Sequence, residues 1–174
     1  MKNELLPIGV RRDGSFYTRI EWASITDPDP TFWVCNLIDD DIERCGGTWG
    51  ANDEKKADVV LSFFGEEQEI SKIRIFRNVG LDYSILEELA KVVNIYVSTT
   101  DEPRKLRRKE DSIDSVEWTH IHREEMEMAE GWQEIVFDTP VKAKYVRFEL
   151  CENFCTEPFI PWIETSEIKM YPEK

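Results

Sequence analysis

At 174 residues the chain is the size of one domain, because a chain of roughly 150 residues already buries about 70% of its unfolded surface in a single core. Its 41% hydrophobic and 33% charged residues, with 9 Phe, 6 Trp and 5 Tyr, exclude a largely disordered chain and point to an aromatic-rich core. A formal net charge of −14 repels phosphate backbones and anionic lipid surfaces, so no nucleic acid is expected as a partner.

Residues 1–17 read as an N-terminal arm and 18–174 as the folded domain. The stretch Met1 to Pro7 has one lysine and no extended apolar run, so it does not read as a secretory signal. The expected setting is the cytoplasm, or an excised segment of an exported protein. No apolar run reaches the ~20 residues that cross a bilayer, and no membrane insertion is expected. Asp58–Phe64 and Ile70–Phe76 read as strands, the second because Ile73 and Ile75 alternate with Lys72 and Arg74. A period of two gives such a strand one face for the core and one for water. Between Asp82 and Lys91 the residues Ile85, Leu86 and Leu89 have helical spacing, with Asp82 as N-cap, which predicts one short helix. Val92–Ser98 is the next strand.

Thr99 to Gly131 is long and charged, poor in apolar residues apart from Val116, Trp118 and Ile121, and reads as an exposed excursion with one short strand near Trp118. It holds the only basic cluster, Arg104, Lys105, Arg107, Arg108 and Lys109, which Glu110 and Asp111 follow, and which reads as a solvated loop. Trp132–Phe137, Tyr145–Leu150 and Ile163–Tyr171 complete the strands. Short strands separated by turns predict an all-β sandwich.

Several motifs in this order resemble a known family. Leu37 to Asp41 followed by Thr48-Trp49 is similar to its acidic turn before a Thr-Trp element. Asp58–Phe63, Ile70–Ile75 and Val92–Ser98 are similar to its core strands, and Gly131–Phe137, Pro140–Phe148 and Ser166–Tyr171 complete its order. The chain thus resembles the discoidin, galactose-binding-like superfamily, nearest to the family 32 carbohydrate-binding modules, over roughly Asn36 to Tyr171. Asp40 stands where that family has Gly, the stretch from Asp41 to Thr48 with Cys45-Gly46-Gly47 is longer, and the Thr99 to Gly131 excursion is expanded. The resemblance implies a jelly-roll β-sandwich with at most one short helix and a binding role, lectin-like and not enzymatic, as a monomer or as one part of a larger multidomain protein.

The resemblance also implies a structural calcium ion held by the acidic turn, a following Thr and a Glu of the last strand, here Asp39 or Asp41, Thr48 and Glu167. Ca²⁺ takes six to eight oxygen ligands, which carboxylates, carbonyls and hydroxyls supply. Read without the resemblance, Asp39 to Asp41 is equally a solvated turn. For a glycan ligand, an aromatic ring covers the apolar sugar face while polar groups bond the hydroxyls. The residues at the positions of the family's binding loops are Arg77, Asn78, Asn153 and Phe154. Trp33 joins them, with Trp118, Phe159 and Trp162 as further aromatic candidates, whereas Trp49 and Trp132 are assigned to the core. His120, His122 and Glu124 would share a strand face, as a metal set or as ordinary surface residues.

Cys35, Cys45, Cys151 and Cys155 permit three pairings or none, and their spacing is not a zinc pattern. No Gly-x-Ser-x-Gly elbow, phosphate loop or His-Glu-x-x-His motif occurs. The leading expectation is a non-catalytic domain that recognises a galactoside or related glycan. The alternative is an intracellular protein–protein interaction module, motivated by the charged excursion.

Overall fold

The computed structural model describes residues 9–25, 27–42, 48–52, 55–79, 85–108, 110–156 and 161–174. Along them run strands β1 (Arg19–Ala23), β2 (Trp49–Asn52), β3 (Lys56–Ser62), β4 (Gln68–Arg77), β5 (Ala90–Ser98), β6 (Thr119–Glu125), β7 (Gly131–Ala143), β8 (Tyr145–Asn153), β9 (Trp162–Thr165) and β10 (Glu167–Tyr171). They pair antiparallel into a five-stranded sheet, β1-β3-β8-β5-β6, a three-stranded sheet, β10-β4-β7, and a two-stranded ribbon, β2-β9. The expected all-β sandwich is the fold that forms.

Alternation decides which side chains face inward. Val59, Leu61, Val93, Ile95, Val146, Phe148 and Leu150 from the larger sheet meet Ile73, Ile75, Ile135, Ile168 and Met170 from the smaller one in a single core. Burying each of these stabilises the fold by about 1.5–3 kcal/mol relative to exposure. Phe16, within the segment read as an arm, is part of this core, and its N–H donates to the Met170 carbonyl at 2.8 Å. β7 is an edge strand, and its register against β4 breaks between the pairs Ile70–Val141 and Lys72–Val136. Pro140, which has no N–H to donate to a ladder, falls in that break.

Three expectations change. The segment Ile163–Tyr171 is two strands in different sheets, because the Ser166 N–H and the Thr165 hydroxyl both donate to the Phe76 carbonyl, at 3.0 and 3.2 Å, and carry the chain across. In the segment with helical spacing the described residues form a short 3-10 turn, Leu86–Glu88, and Asp82 lies outside the described residues. The excursion after Thr99 is docked rather than free. Leu106 and Val116 pack with Trp22, Val60 and Tyr145 on the outer face of the five-stranded sheet, with Ile113 and Trp118 at the edge of the cluster. Trp22 Nε1 donates to the Arg108 carbonyl at 3.1 Å, and the Asp111 carboxylate accepts the N–H groups of Arg107 and Arg108 at 2.6 and 2.8 Å. The strand expected near Trp118 is β6.

Candidate functional site

Where β4 and β8 end and β3 and β5 begin, loops from distant parts of the chain meet. Ala90 opens β5 directly opposite Asn153, the last residue of β8. Phe154 N–H and Cys155 N–H both donate to the Glu87 carbonyl, at 2.8 and 3.1 Å, which joins the loop after β8 to the segment before β5. Asn153 is buried; its Nδ2 donates to the Trp162 carbonyl at 2.6 Å and its Oδ1 accepts from Cys155 N–H at 3.1 Å. That amide shapes the loop on which half-buried Phe154 sits.

Arg77 belongs to the same end but is corrected as a ligand contact. It is fully buried, with Nη1 donating to the Ala90 carbonyl at 3.3 Å and Nη2 to the Glu127 carbonyl. The reason is strand parity: Arg77 follows Ile73 and Ile75 on the inward face of β4. Burial pushes its pKa down to about 10, so the guanidinium stays charged near neutral pH. It ties the ends of three loops together from beneath. Its neighbour Asn78 is half-buried, beside Val79, whose N–H donates to Glu130 Oε1 at 2.9 Å.

Trp33 stands between two 3-10 turns, Pro30–Phe32 and Val34–Ile38, and is 46% exposed. Asp29 Oδ1 caps the first turn by accepting from Thr31 N–H at 2.9 Å, and Asn36 Nδ2 donates to the carbonyls of Thr31 and Thr48, each at 2.8 Å. Phe32 packs edge-on against Trp162, with ring centres 4.8 Å apart. Trp162 lies across the backbone of Gly50, where any Cβ would collide with the indole, and its Nε1 donates to Glu164 Oε2 at 2.9 Å. Through Trp162 and Asn153 the Trp33 loop is therefore continuous with the Phe154 loop.

The other aromatic candidates separate clearly. Trp118 Nε1 donates to the Ile113 carbonyl at 3.1 Å, within the cluster under the excursion, and Phe159 lies outside the described residues. Trp49 is fully buried, as expected. Trp132 is corrected: it faces outward on β7, half-buried, with the Arg74 guanidinium 4.6 Å from its ring centre, and lines a groove of about 600 Å³. Its parity was legible, since Ile135 and Phe137 take the inward positions. His122 pairs with Glu124 at 2.7 Å, while His120 packs on the Tyr96 ring at 4.9 Å. Among the described residues no three His, Cys, Asp or Glu side chains gather as a metal cluster, and Cys35, Cys151 and Cys155 are free thiols. Cys45 lies outside the described residues.

Beside the loop end, the acidic turn packs on the start of β10. Asp39 Oδ1 accepts from Asp41 N–H at 2.9 Å, and Asp40 has a left-handed backbone, φ 66°. Arg11 donates to Asp40 at 2.5 Å and to the Ile38 carbonyl at 2.9 Å. Lys169 bonds Asp13 at 2.6 Å and also Asp40. Sequence reasoning missed these two cations, although Lys169 shares strand parity with Glu167. Glu167 is buried, and neither of its carboxylate oxygens has a hydrogen-bond partner among the described residues; the buried Thr48 hydroxyl is in the same position. Burial, with Asp40 and Asp39 adding their charges, pushes the Glu167 pKa up to about 8. Asp39 is likewise raised, by burial first and then by Asp41.

No protein-family model matches this sequence, and no curated protein matches it. Solved structures match by fold. CpGH89CBM32-5 from Clostridium perfringens, in complex with GalNAc-β-1,3-galactose, superposes with a TM-score of 0.63 at 14% identity, covering 88% of this chain and 94% of that one. The family 32 carbohydrate-binding module of Streptococcus pneumoniae EndoD gives 0.63 at 14% identity, covering 90% and 96%. A fucolectin from striped bass (Morone saxatilis) serum gives 0.63 at 13% identity, over 88% of this chain and 46% of that one. The chain has the galactose-binding-like, discoidin-type β-sandwich. More particularly, its architecture is the one that family 32 carbohydrate-binding modules and this fucolectin share.

Proposed function

We propose that the chain is a non-catalytic carbohydrate-binding domain that recognises a galactoside or related glycan through the loops at the Arg77 end of the sandwich. The observation that carries this reading is the chain of contacts Phe32–Trp162–Asn153, which joins the loop of the exposed Trp33 to the loop of Phe154. Trp33, Asn78 and Phe154 supply the contact surface. Arg77 and Asn153 hold that surface in shape from beneath, a supporting shell that sugar recognition needs as much as the contacts themselves. The fold's likeness to structures solved with bound sugars supports the same reading.

A structural Ca²⁺ at Asp39, Asp41, Thr48 and Glu167 belongs to this proposal. The fit is chemical: a buried carboxylate and a buried hydroxyl without partners are hard oxygen donors, and such groups are costly to bury unless something pairs with them. The ion would draw its remaining ligands from carbonyls of the acidic turn, and would brace that turn against β10.

The test is a titration of the chain, with and without Ca²⁺, against galactose, N-acetylgalactosamine and N-acetylglucosamine, followed by nuclear magnetic resonance. Saturable shifts that Trp33→Ala and Phe154→Ala abolish support the reading. Silence across the panel would reject it and leave the protein–protein interaction module in its place.

A further inference from the structure

At the opposite pole, one strand length from Arg77, the turn between β3 and β4 holds an unusual residue. Glu66 N–H donates to the Phe63 carbonyl at 3.1 Å, and the two central residues, Phe64 and Gly65, both have positive φ, 57° and 91°. This is the geometry of a tight hairpin turn whose first central position favours Asn, Asp or Gly. A bulky side chain in the left-handed region carries a steric cost. Here the position is Phe, and its ring is 62% exposed, so the strain is not offset by burial.

Three arginines share a pocket with Phe64. Arg19, Arg104 and Arg107, with Glu21, Phe64 and Leu106, line a pocket of about 490 Å³. Two of them come from the basic cluster of the excursion, and both are positioned. Arg104 Nε donates to the Tyr145 hydroxyl at 3.0 Å, and its Nη2 lies so close over Gly65 that a Cβ there would sit 2.7 Å away. Arg107 Nε donates to the Arg104 carbonyl at 3.3 Å. Between them Leu106 is buried on the outer sheet cluster, and the Asp111 carboxylate fixes the backbone at Arg107. Glu21 accepts from the Ser62 hydroxyl and is 3.6 Å from Arg19. It is the pocket's one carboxylate against three guanidiniums, in a chain whose overall charge is strongly negative.

We propose that this pocket is a second binding site, for an acidic saccharide whose carboxylate or sulfate is held by Arg104 and Arg107 and whose ring lies on Phe64. Guanidinium forks match planar carboxylates and sulfate-like oxyanions, and an exposed aromatic ring is the platform a pyranose face requires. At about 490 Å³ the pocket is in the size range of small-ligand sites, which fits one or two sugar units better than a length of acidic peptide. The inference does not depend on the glycan reading of the Arg77 end. Along the ten residues of β4, at about 3.4 Å per residue, the two sites stand roughly 30 Å apart.

The experiment titrates the whole chain with a sulfated heparin-derived disaccharide, an unsulfated digalacturonate and neutral galactose, following amide shifts. Expected are salt-sensitive shifts at Phe64, Gly65 and Arg104 with at least one acidic sugar, and none there with galactose; the sulfated and unsulfated arms identify the anion. Arg104→Ala with Arg107→Ala should weaken binding by about tenfold or more, the loss of a charge-assisted contact. Phe64→Asn is the decisive variant: Asn suits the left-handed turn, so thermal stability should hold or rise while binding falls. Absence of shifts at the pole with both acidic sugars, or binding that survives Phe64→Asn unchanged, would overturn the proposal. So would an acidic peptide, such as tetraglutamate, that binds there as tightly as the sugars.

Discussion

Arg147 Nε donates to Asp58 Oδ1 at 2.7 Å across the β3–β8 ladder, and both side chains are only 7% exposed. The pair sits on the outer face of the five-stranded sheet, where Arg147 also lies 4.9 Å from the Tyr96 ring centre and 3.4 Å from Glu149. Burial pushes the Asp58 pKa up from the ordinary carboxylate value even with this guanidinium beside it. Desolvation therefore outweighs the attraction, as it commonly does for buried ion pairs.

That balance sets the first prediction. Asp58→Ala leaves a buried guanidinium with one fewer partner and should cost about 3–5 kcal/mol. Replacing both residues together, Asp58→Leu with Arg147→Met, should cost far less than the sum of the single changes. Urea unfolding of Asp58→Leu, Arg147→Met and the double variant measures the coupling; additive losses would show that the pair does not act as a unit.

Arg77 carries the second prediction. Its guanidinium joins the end of β4 to the carbonyls of Ala90 and Glu127, so Arg77→Met removes two charge-assisted bonds while keeping the buried stem. A loss of about 2–4 kcal/mol follows from about 1.5–3 kcal/mol for each such bond, less some relaxation. Amide exchange should speed up at 126–130 and around Ala90, the segments that it ties. Unchanged exchange at those segments would show that the loop end holds its shape without Arg77.

Strand parity was legible in the sequence, and more was legible than a reading by motif position extracts. Ile73 and Ile75 put Arg77 inside, and Ile135 and Phe137 put Trp132 outside, by the same period of two that identified β4 and β7. β1 is the exception: Ile20 packs on the core and Trp22 in the outer cluster, on either side of a register shift, so a simple period of two misplaces one of them. What local pattern does not carry is long-range docking. Leu106 and Val116 are isolated apolar residues in a charged segment, and only the partner surface of Trp22, Val60 and Tyr145 makes them core. The same limit applies to Phe64: its exposure and left-handed backbone follow from the hairpin, whereas the sequence Phe63-Phe64-Gly65 reads as one more apolar strand end.

The thiols differ in ways that labelling can read. Cys35 is exposed, whereas burial first, and then Glu149, push the Cys151 pKa up to about 11. The thiolate is the reacting form, so at pH 8 Cys151 should alkylate at least about tenfold more slowly than Cys35. Cys155, also raised by burial, should fall between them. Mass spectrometry of iodoacetamide-treated protein gives the order, and early modification of Cys151 would contradict its environment.

Glu167 makes the calcium proposal testable through pH. Its pKa of about 8 in the folded chain lies above the ordinary value of 4.5, so between those values the folded state keeps a proton that the unfolded state has released. Stability in chelator should therefore fall as pH rises from about 4.5 to about 8, because the folded state then binds more protons than the unfolded one. Ca²⁺ pairs with the deprotonated carboxylate, so the rise in Tm that it causes should be larger at pH 8 than at pH 5.5. At a hundred times Kd the gain is about 2.7 kcal/mol, or roughly 5–10 °C for a domain of this size. Glu167→Gln should flatten the profile in chelator and remove most of the Ca²⁺ response. A Ca²⁺ response that survives this substitution would place the ion elsewhere, and no response in the unaltered chain at pH 8 would remove calcium from the proposed function.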